Sequence, residues 1–424
     1  MMKSYAEMNE AGRLLALAEA RASYELAKGK GLKLDITRGK PNLEQVQLSN
    51  GMFGAITEQD FFLDGVDTRN YGNPGGLPST KKLFAEIMDV DPAQVFVGGN
   101  ASLQLMYDTV AKAYTNGLWN SPHPWSQEEK VKFLCPCPGY DRHFHLSLSF
   151  GMELIPIAMS PDGPDMDAVE AAVADPAVKG IWCVPKYSNP DGYVYSAAVC
   201  ERMANLKPAA PDFVILWDNA YVVHDIFDEV KDIPNILALC AAAGRPNMCI
   251  TFASTSKITF AGGGVSAFAA GPEQLAHLAK LIGLQTIGYN KVNEMLHVRF
   301  LKDLPTVKAL MARHAAIVRP KFEAVLDALD KEIAPLGIAK WSKPNGGYFV
   351  SLYAMPGTAK RAHQLCKEAG VTLTPAGASY PNNFDPDDSN LRIAPTFVTL
   401  EEITQAMQVL VECLKIAALE KLLA

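Results

Sequence analysis

From Val95 to Ala269 short apolar runs alternate with stretches of helical periodicity, and this alternation restricts the fold more than any other property of the chain. The runs are Val95-Phe96-Val97, Phe133-Leu134-Cys135, Leu154-Ile155-Pro156-Ile157, Ile181 to Val184, Val214 to Trp217, Ile250 to Ala253 and Ala267-Phe268-Ala269. Strands separated by helices imply an α/β layer architecture with a mostly parallel sheet. In such sheets ligands collect at the carboxyl ends of the strands.

Chemistry-bearing residues stand at three of those ends. Ile181 to Val184 leads into Asn189-Pro190-Asp191-Gly192, and Phe213 to Trp217 ends in Asp218-Asn219-Ala220-Tyr221. Ile250 to Ala253 runs into Ser254-Thr255-Ser256-Lys257, just ahead of Gly262-Gly263-Gly264. An amine at Lys257 can form an imine with an aldehyde. Taken singly, a lysine is usually a solvated surface charge and an Asp after a strand is often a helix N-cap. Taken together, the three ends present what pyridoxal phosphate requires: an aldehyde-trapping amine, a carboxylate for the pyridine nitrogen and donors for the ring hydroxyl.

This ordered set resembles the fold-type-I pyridoxal-phosphate-dependent aminotransferases of the class I/II family, and among them a divergent bacterial branch of the aspartate aminotransferases. The resemblance runs from about Asp35 to about Val398. It implies a large domain with a mostly parallel central sheet plus a smaller α/β domain built from both chain ends. The expected division is residues 1–48 as N-terminal arm and part of the small domain, 49–310 as the cofactor-binding domain, and 311–424 as the rest of the small domain.

By the same resemblance the cofactor is pyridoxal 5'-phosphate, carried on Lys257, with Asp218 beside its ring nitrogen and Tyr221 and Asn189 donating to its hydroxyl. Tyr140, in Pro138-Gly139-Tyr140, matches the aromatic residue that stacks on the ring. The phosphate is expected where Asn100, Ala101 and Ser102 open a helix near Leu103, because a helix start offers unpaired N–H groups and a positive dipole end. Ser254 and Ser256 can add hydroxyls. Tyr71, in Arg69-Asn70-Tyr71-Gly72-Asn73-Pro74-Gly75-Gly76, resembles a tyrosine that reaches the neighbouring subunit's phosphate, which implies a homodimer with shared sites. Asn189-Pro190 resembles the family's cis peptide. One place departs from the pattern: Gly264 and Val265 stand where the family usually sets an arginine on the phosphate.

For the substrate, Arg392 in Asn390-Leu391-Arg392-Ile393-Ala394 matches the arginine that grips the α-carboxylate as a bidentate fork. Gly39 would approach the same carboxylate through its backbone, and Asn189 through its side chain. Lys291 is the candidate for a distal carboxylate, at the place where dicarboxylate-specific relatives supply a cation from the partner chain, with Arg38 and Arg142 behind it. A solvated helix lysine is an equal reading of Lys291. The resulting expectation is ping-pong transfer of an amino group between L-aspartate or L-glutamate and 2-oxoglutarate or oxaloacetate. Aromatic, alanine or kynurenine-type donors are alternatives, as is a lyase on the same scaffold. A regulator's effector module would need a DNA-binding domain, and only about 35 non-basic residues precede the Gly39 motif.

Composition excludes other classes. With 424 residues and 49% apolar content the chain can bury a large core. Its net charge of -7, with no basic stripe, argues against nucleic acid. No run of about eighteen apolar residues suggests a membrane span and the N-terminus lacks a signal-peptide core, so a cytoplasmic location is expected. The eight cysteines are dispersed, and Cys135-Pro136-Cys137 lacks a second pair for zinc, so buried thiols and no metal are expected. Leu14, Leu15, Ala18, Ala22 and Leu26 predict an N-terminal helix with that face apolar, and Gly346 to Leu352 reads as a strand. Thr399 and Glu402 form a capping box ahead of a final helix with Ile403, Met407, Leu410, Leu414 and Ala417 on one face.

Overall fold

The computed structural model describes residues 4–424. Among them, the central sheet has eight strands: β1 (Val95–Val97), β2 (Lys132–Cys137), β3 (Glu153–Ser160), β4 (Gly163–Pro164), β5 (Val178–Cys183), β6 (Val214–Asp218), β7 (Cys249–Ser254) and β8 (Ser266–Ala270). Their spatial order is β1-β8-β7-β6-β5-β2-β3-β4. The five strands from β7 to β3 pair in parallel, whereas β8 runs antiparallel to both β7 and β1.

These segments are strands because both of their faces are covered, so no polar alternation is needed. In β6, Ile215 and Trp217 enter a core with Cys240 and with Phe84 of α2 (Pro78–Met88), while Val214 and Leu216 enter another with Met106 and Val110. The last two belong to α3 (Ser102–Asn116), which ends at Gly117 with φ +85°, a conformation that favours glycine. The two-residue period of a strand then puts Asp218 on the same face as Leu216. Register aligns the neighbours: Asp218 lies opposite Phe252 of β7, five residues before Lys257.

A third core joins the chain ends. Here α1 (Glu10–Lys28) packs on the C-terminal helix α7 (Leu400–Leu423), and Leu34 and Val371 sit side by side in a short parallel ladder. Beneath them is a three-stranded antiparallel sheet of β9 (Ala339–Trp341), β10 (Val350–Ala354) and β11 (Asn390–Ile393). The long helix α6 (Leu304–Glu332) passes from one core to another, with Val307 and Leu310 against Leu83 and Ile87, and Val318, Phe322 and Val325 in the chain-end core. The expected division at 310/311 falls inside this helix. Burying a side chain such as Phe322 contributes roughly 1.5–3 kcal/mol.

Local expectations meet the structure unevenly. The capping box forms, with the Glu402 N–H donating to Thr399 and the Thr399 N–H to Glu402, and the whole predicted face of α7 is buried. The N-terminal helix forms but its buried stripe is Leu17, Ala20, Tyr24 and Ala27; Leu14, Leu15 and Leu26 are 52%, 63% and 76% exposed. Two apolar stripes share that helix, and only packing on α7 selects between them. The strand expected from Gly346 starts at Val350 instead. Gly347 donates to the His224 carbonyl at 2.9 Å, and a Cβ on Gly346 would fall 2.4 Å from that oxygen, so the two glycines carry a close backbone crossing. All eight cysteines are free and buried. No helix among the described residues is long and apolar enough to cross a membrane.

Candidate active site

A cavity of about 590 Å³ opens where the carboxyl ends of β5, β6 and β7 face the segment 37–40 and β11. Of the residues singled out from the sequence, Gly39, Ala101, Ser102, Tyr140, Asn189 and Asp218 line it. So do Tyr221, Ser254, Ser256, Lys257 and Arg392. They come from stretches separated by hundreds of residues, brought together by the parallel sheet and by the return of the C-terminal segment.

Lys257 follows β7 in a turn, its amine 4.9 Å from the centre of the Tyr221 ring. Burial lowers its pKa below the ordinary lysine value, with Asp218 pulling the other way. Removal from water penalises the charged amine and enlarges the neutral fraction that can act as nucleophile or base. Tyr221 is buried, and desolvation raises its hydroxyl pKa well above the usual phenol value, so it remains a donor at neutral pH. Asp218 is 3% exposed; one carboxylate oxygen lies 3.1 Å from His143 Nε2, and the other has no partner among the described residues.

His143 was not legible as a site residue. It is buried on α4 (Asp141–Ser149), stacked on Trp182 with ring centres 4.4 Å apart. The available signal was its spacing, three residues after Tyr140, which places both rings on one side of the helix start. Tyr140 meets His143 edge-on at 5.0 Å, and burial first and Asp218 second raise its hydroxyl pKa to about 12.

Arg392, in β11, is the buried cation of the cavity. Its guanidinium donates to Asn189 Oδ1 at 3.2 Å and Thr374 Oγ1 at 3.1 Å, lies 3.6 Å from Asp141, and rests 4.7 Å over the Phe349 ring. Its Nε has no partner among the described residues. With its carbonyl committed to Arg392, the Asn189 amide has its NH₂ left as donor. Gly39 is fitted to this wall: a Cβ there would sit 2.2 Å from the Phe349 ring. Thr374, Phe349 and Asp141 were also missed, because an isolated Thr, Phe or Asp carries no sequence signal of convergence.

Ala101, the N-cap of α3, makes no side-chain cap, and the Gln104 N–H donates back to the Ala101 carbonyl, so the N–H groups of Ser102 and Leu103 are left for an anion. The Ser266 hydroxyl donates to the Gly99 carbonyl, and the Ser256 hydroxyl to the Asn100 carbonyl, drawing the turn after β7 against the helix start. A Cβ on Gly264 would lie 3.1 Å from the Asn100 carbonyl and from Ser256, so a side chain at this position would press on the helix start.

Three candidates lie outside the cavity. Asn100 is exposed and contributes its backbone carbonyl to Ser256 rather than its side chain. Tyr71 is 82% exposed on the loop 69–76. Lys291 begins α5 (Lys291–Leu301) but is 4% exposed, and its amine donates to the Gly72 carbonyl at 2.9 Å.

The cavity fits pyridoxal 5'-phosphate on its own geometry. An orphaned buried carboxylate oxygen suits a ring N–H, a desolvated amine suits an aldehyde, and an uncapped helix start suits a phosphate.

Comparison with known proteins agrees. A family model described as aspartate amino-transferase matches residues 9–424. An aspartate aminotransferase of Corynebacterium glutamicum is 45% identical over 403 residues, covering 95% of this chain and 93% of its own. The crystal structure of an aspartate transaminase from Corynebacterium glutamicum superposes with a TM-score of 0.97 at 43% identity, over 99% of this chain and all of that one. The α-aminoadipate aminotransferase of Thermus thermophilus shares the fold, with a TM-score of 0.74 at 22% identity over 98% of each chain.

Proposed function

That this chain belongs to the aspartate aminotransferase family is the premise from which we propose that it exchanges an amino group between L-aspartate or L-glutamate and 2-oxoglutarate or oxaloacetate. Enzymes of the family are pyridoxal-phosphate-dependent transferases. The observation that carries the reading is the pairing of a desolvated Lys257 with an orphaned Asp218 oxygen in a cavity walled by Arg392.

When bound, pyridoxal 5'-phosphate supplies an aldehyde for the amino group and an electron-withdrawing ring that stabilises negative charge at the adjacent α-carbon. Lys257 would hold it, Asp218 would keep its ring nitrogen protonated, and His143 would orient Asp218. Tyr221 and the Asn189 amide would donate to its hydroxyl, and Tyr140 would cover its face. The start of α3 with Ser254 and Ser256 would take the phosphate, in place of an arginine. Arg392 orients the substrate through its α-carboxylate, presenting the α-hydrogen to Lys257. Once the substrate's amino group has taken its place, the neutral lysine amine would remove the α-proton as general base and, as general acid, deliver it to the carbon that the cofactor's aldehyde supplies.

We take the protein to act as a homodimer in which Tyr71 reaches the partner's site. Exposed Tyr71, Leu284 (83%) in the last turn of the helix Pro272–Gln285 and Ile287 (63%) in the loop that follows it support this, since Gly288 packs directly on Gly72. The division into a large domain and a small one built from both ends, and a cytoplasmic location, belong to the same proposal.

The test is to add L-aspartate alone to the cofactor-loaded yellow protein and follow its visible absorbance, then add 2-oxoglutarate. Bleaching that the oxo acid reverses is the expected result. A spectrum indifferent to aspartate would overturn the reading, and release of pyruvate and ammonia from L-serine without an acceptor would then mark a lyase.

A further inference from the structure

The central sheet carries a second cavity, of about 330 Å³, on the face opposite Asp218, and it shares no lining residue with the first. Its buried floor is Trp217 and Thr251, which pair across β6 and β7, together with Asn219, whose N–H extends the ladder by donating to the Phe252 carbonyl at 2.8 Å. The end of α2, the segment 230–237 and the start of α6 enclose it.

Two polar atoms of this floor are unsatisfied. Asn219 is 5% and Thr251 2% exposed, and neither Asn219 Oδ1 nor Thr251 Oγ1 has a partner among the described residues. A buried acceptor left unpaired forfeits its hydration, which an occupant able to donate would replace. One ordered water needs roughly 10–15 Å³, a small fraction of the space, and is held only where several polar groups surround it. Here Trp217, Val222, Val223, Ile236 and Leu237 make much of the lining apolar. Such a volume, mostly apolar with a few convergent polar groups, suits a small organic molecule.

The charges select its class. Glu86, Asp89, Asp225 and Asp232 line the cavity against Lys186 and Lys308. Lys186 is buried but lies 2.9 Å from Asp225, so the pair adds no net charge beside the floor. Asp89, Asp232 and Lys308 are exposed at the rim. The balance is negative, and a cleft lined by an excess of one sign concentrates the other.

We propose that this cavity is a second binding site, for a primary aliphatic amine in its ammonium form, whose N–H groups donate to Asn219 Oδ1 and Thr251 Oγ1 while its chain lies along Trp217 and Leu237. The sheet separates the site from the amine chemistry at Lys257.

The test is calorimetric titration of n-butylamine into holoenzyme reduced with borohydride, so that the probe cannot exchange with Lys257 at the cofactor. One site per chain is expected. Butyltrimethylammonium, which keeps the charge and chain but has no N–H, and butyrate, of opposite charge, should each bind at least about 10-fold more weakly. Thr251→Val and Asn219→Leu should each weaken n-butylamine about 10- to 100-fold, the range for a charge-assisted hydrogen bond. Neither should lower Tm, because the two oxygens stabilise nothing in the empty protein, whereas loss of a merely structural hydrogen bond would. Heat no greater than dilution in the wild type would leave the cavity to water and overturn the proposal. So would equal affinity for butyltrimethylammonium, or unchanged affinity for n-butylamine in both variants.

Discussion

The core shared by the chain ends and the cavity beside it are filled by opposite rules. In the first, stripes from α1, α6 and α7 interlock, and Phe322, Val325, Leu329, Ile403 and Leu410 are wholly buried among apolar neighbours. In the second, buried groups are polar and incompletely paired: an Asp218 oxygen, the Arg392 Nε and the desolvated Lys257 amine. The first arrangement is what stability selects, since apolar burial needs no partner. The second costs free energy in the empty protein, because an unpaired buried polar group forfeits its hydration. The contrast teaches that the sheet and end core hold a strained polar surface ready for a ligand that completes it.

Lys257→Ala should break the contrast most. Transamination is expected to fall by at least about 10⁴-fold, the upper range for removing an acid–base group, measured in single turnover with aspartate. The cofactor-free variant should nevertheless melt higher than wild type at pH 7. Because burial lowers the folded-state pKa of Lys257, its favourable contribution is complete only above the unfolded value near 10.5 and is lost as pH falls through the folded value. The gap in Tm should therefore close as pH rises toward 10.5.

Phe322→Ala probes the opposite side of the comparison. It is expected to cost about 3–5 kcal/mol in chemical denaturation, with the aspartate-induced spectral change per folded molecule intact. Equal loss of both would show that the two regions are not separable.

Asp191 sits between the regimes, 1% exposed, with one oxygen accepting from the Tyr353 hydroxyl at 2.6 Å and the other without a partner among the described residues. Burial pushes its pKa up from 3.8 to about 6. A raised folded-state value gives a contribution fully present below 3.8 and lost as pH climbs through about 6. Stability should fall across that window by roughly 3 kcal/mol, and Asp191→Asn should flatten the decline in a pH series of denaturation midpoints.

The smallest of these effects is expected for Arg392→Lys, which keeps the charge but loses the planar fork. KM for aspartate should rise about 10-fold or somewhat more, with Tm little changed. An unaltered KM would remove Arg392 from the substrate's carboxylate.

Much of this was legible along the chain. The β-strands of the central sheet announce themselves as apolar runs because both of their faces are buried, and Asn189, Asp218 and Lys257 stand out because they follow the carboxyl ends of three strands, where ligands collect in a parallel sheet. The Thr399 and Glu402 cap was legible because it is local, spanning three residues. The setting of Lys291 was not legible, because a lysine near the expected spacing says nothing about where its amine goes, and here it donates to the Gly72 carbonyl. The exposed stripe of α1 misled because helical periodicity identifies apolar faces without saying which one meets a neighbour.

By itself, then, the sequence determined the elements and the strand ends that carry reactive groups, since periodicity and turn chemistry act between residues a few positions apart. Only the tertiary structure decided which groups lie next to one another and which remain unpaired. His143 against Asp218, Thr374 and Asp141 on Arg392 and the close approach of Gly264 to Asn100 all depend on contacts between distant segments. Hydrogen bonding and desolvation respond to such neighbours through space, and no local pattern along the chain encodes them.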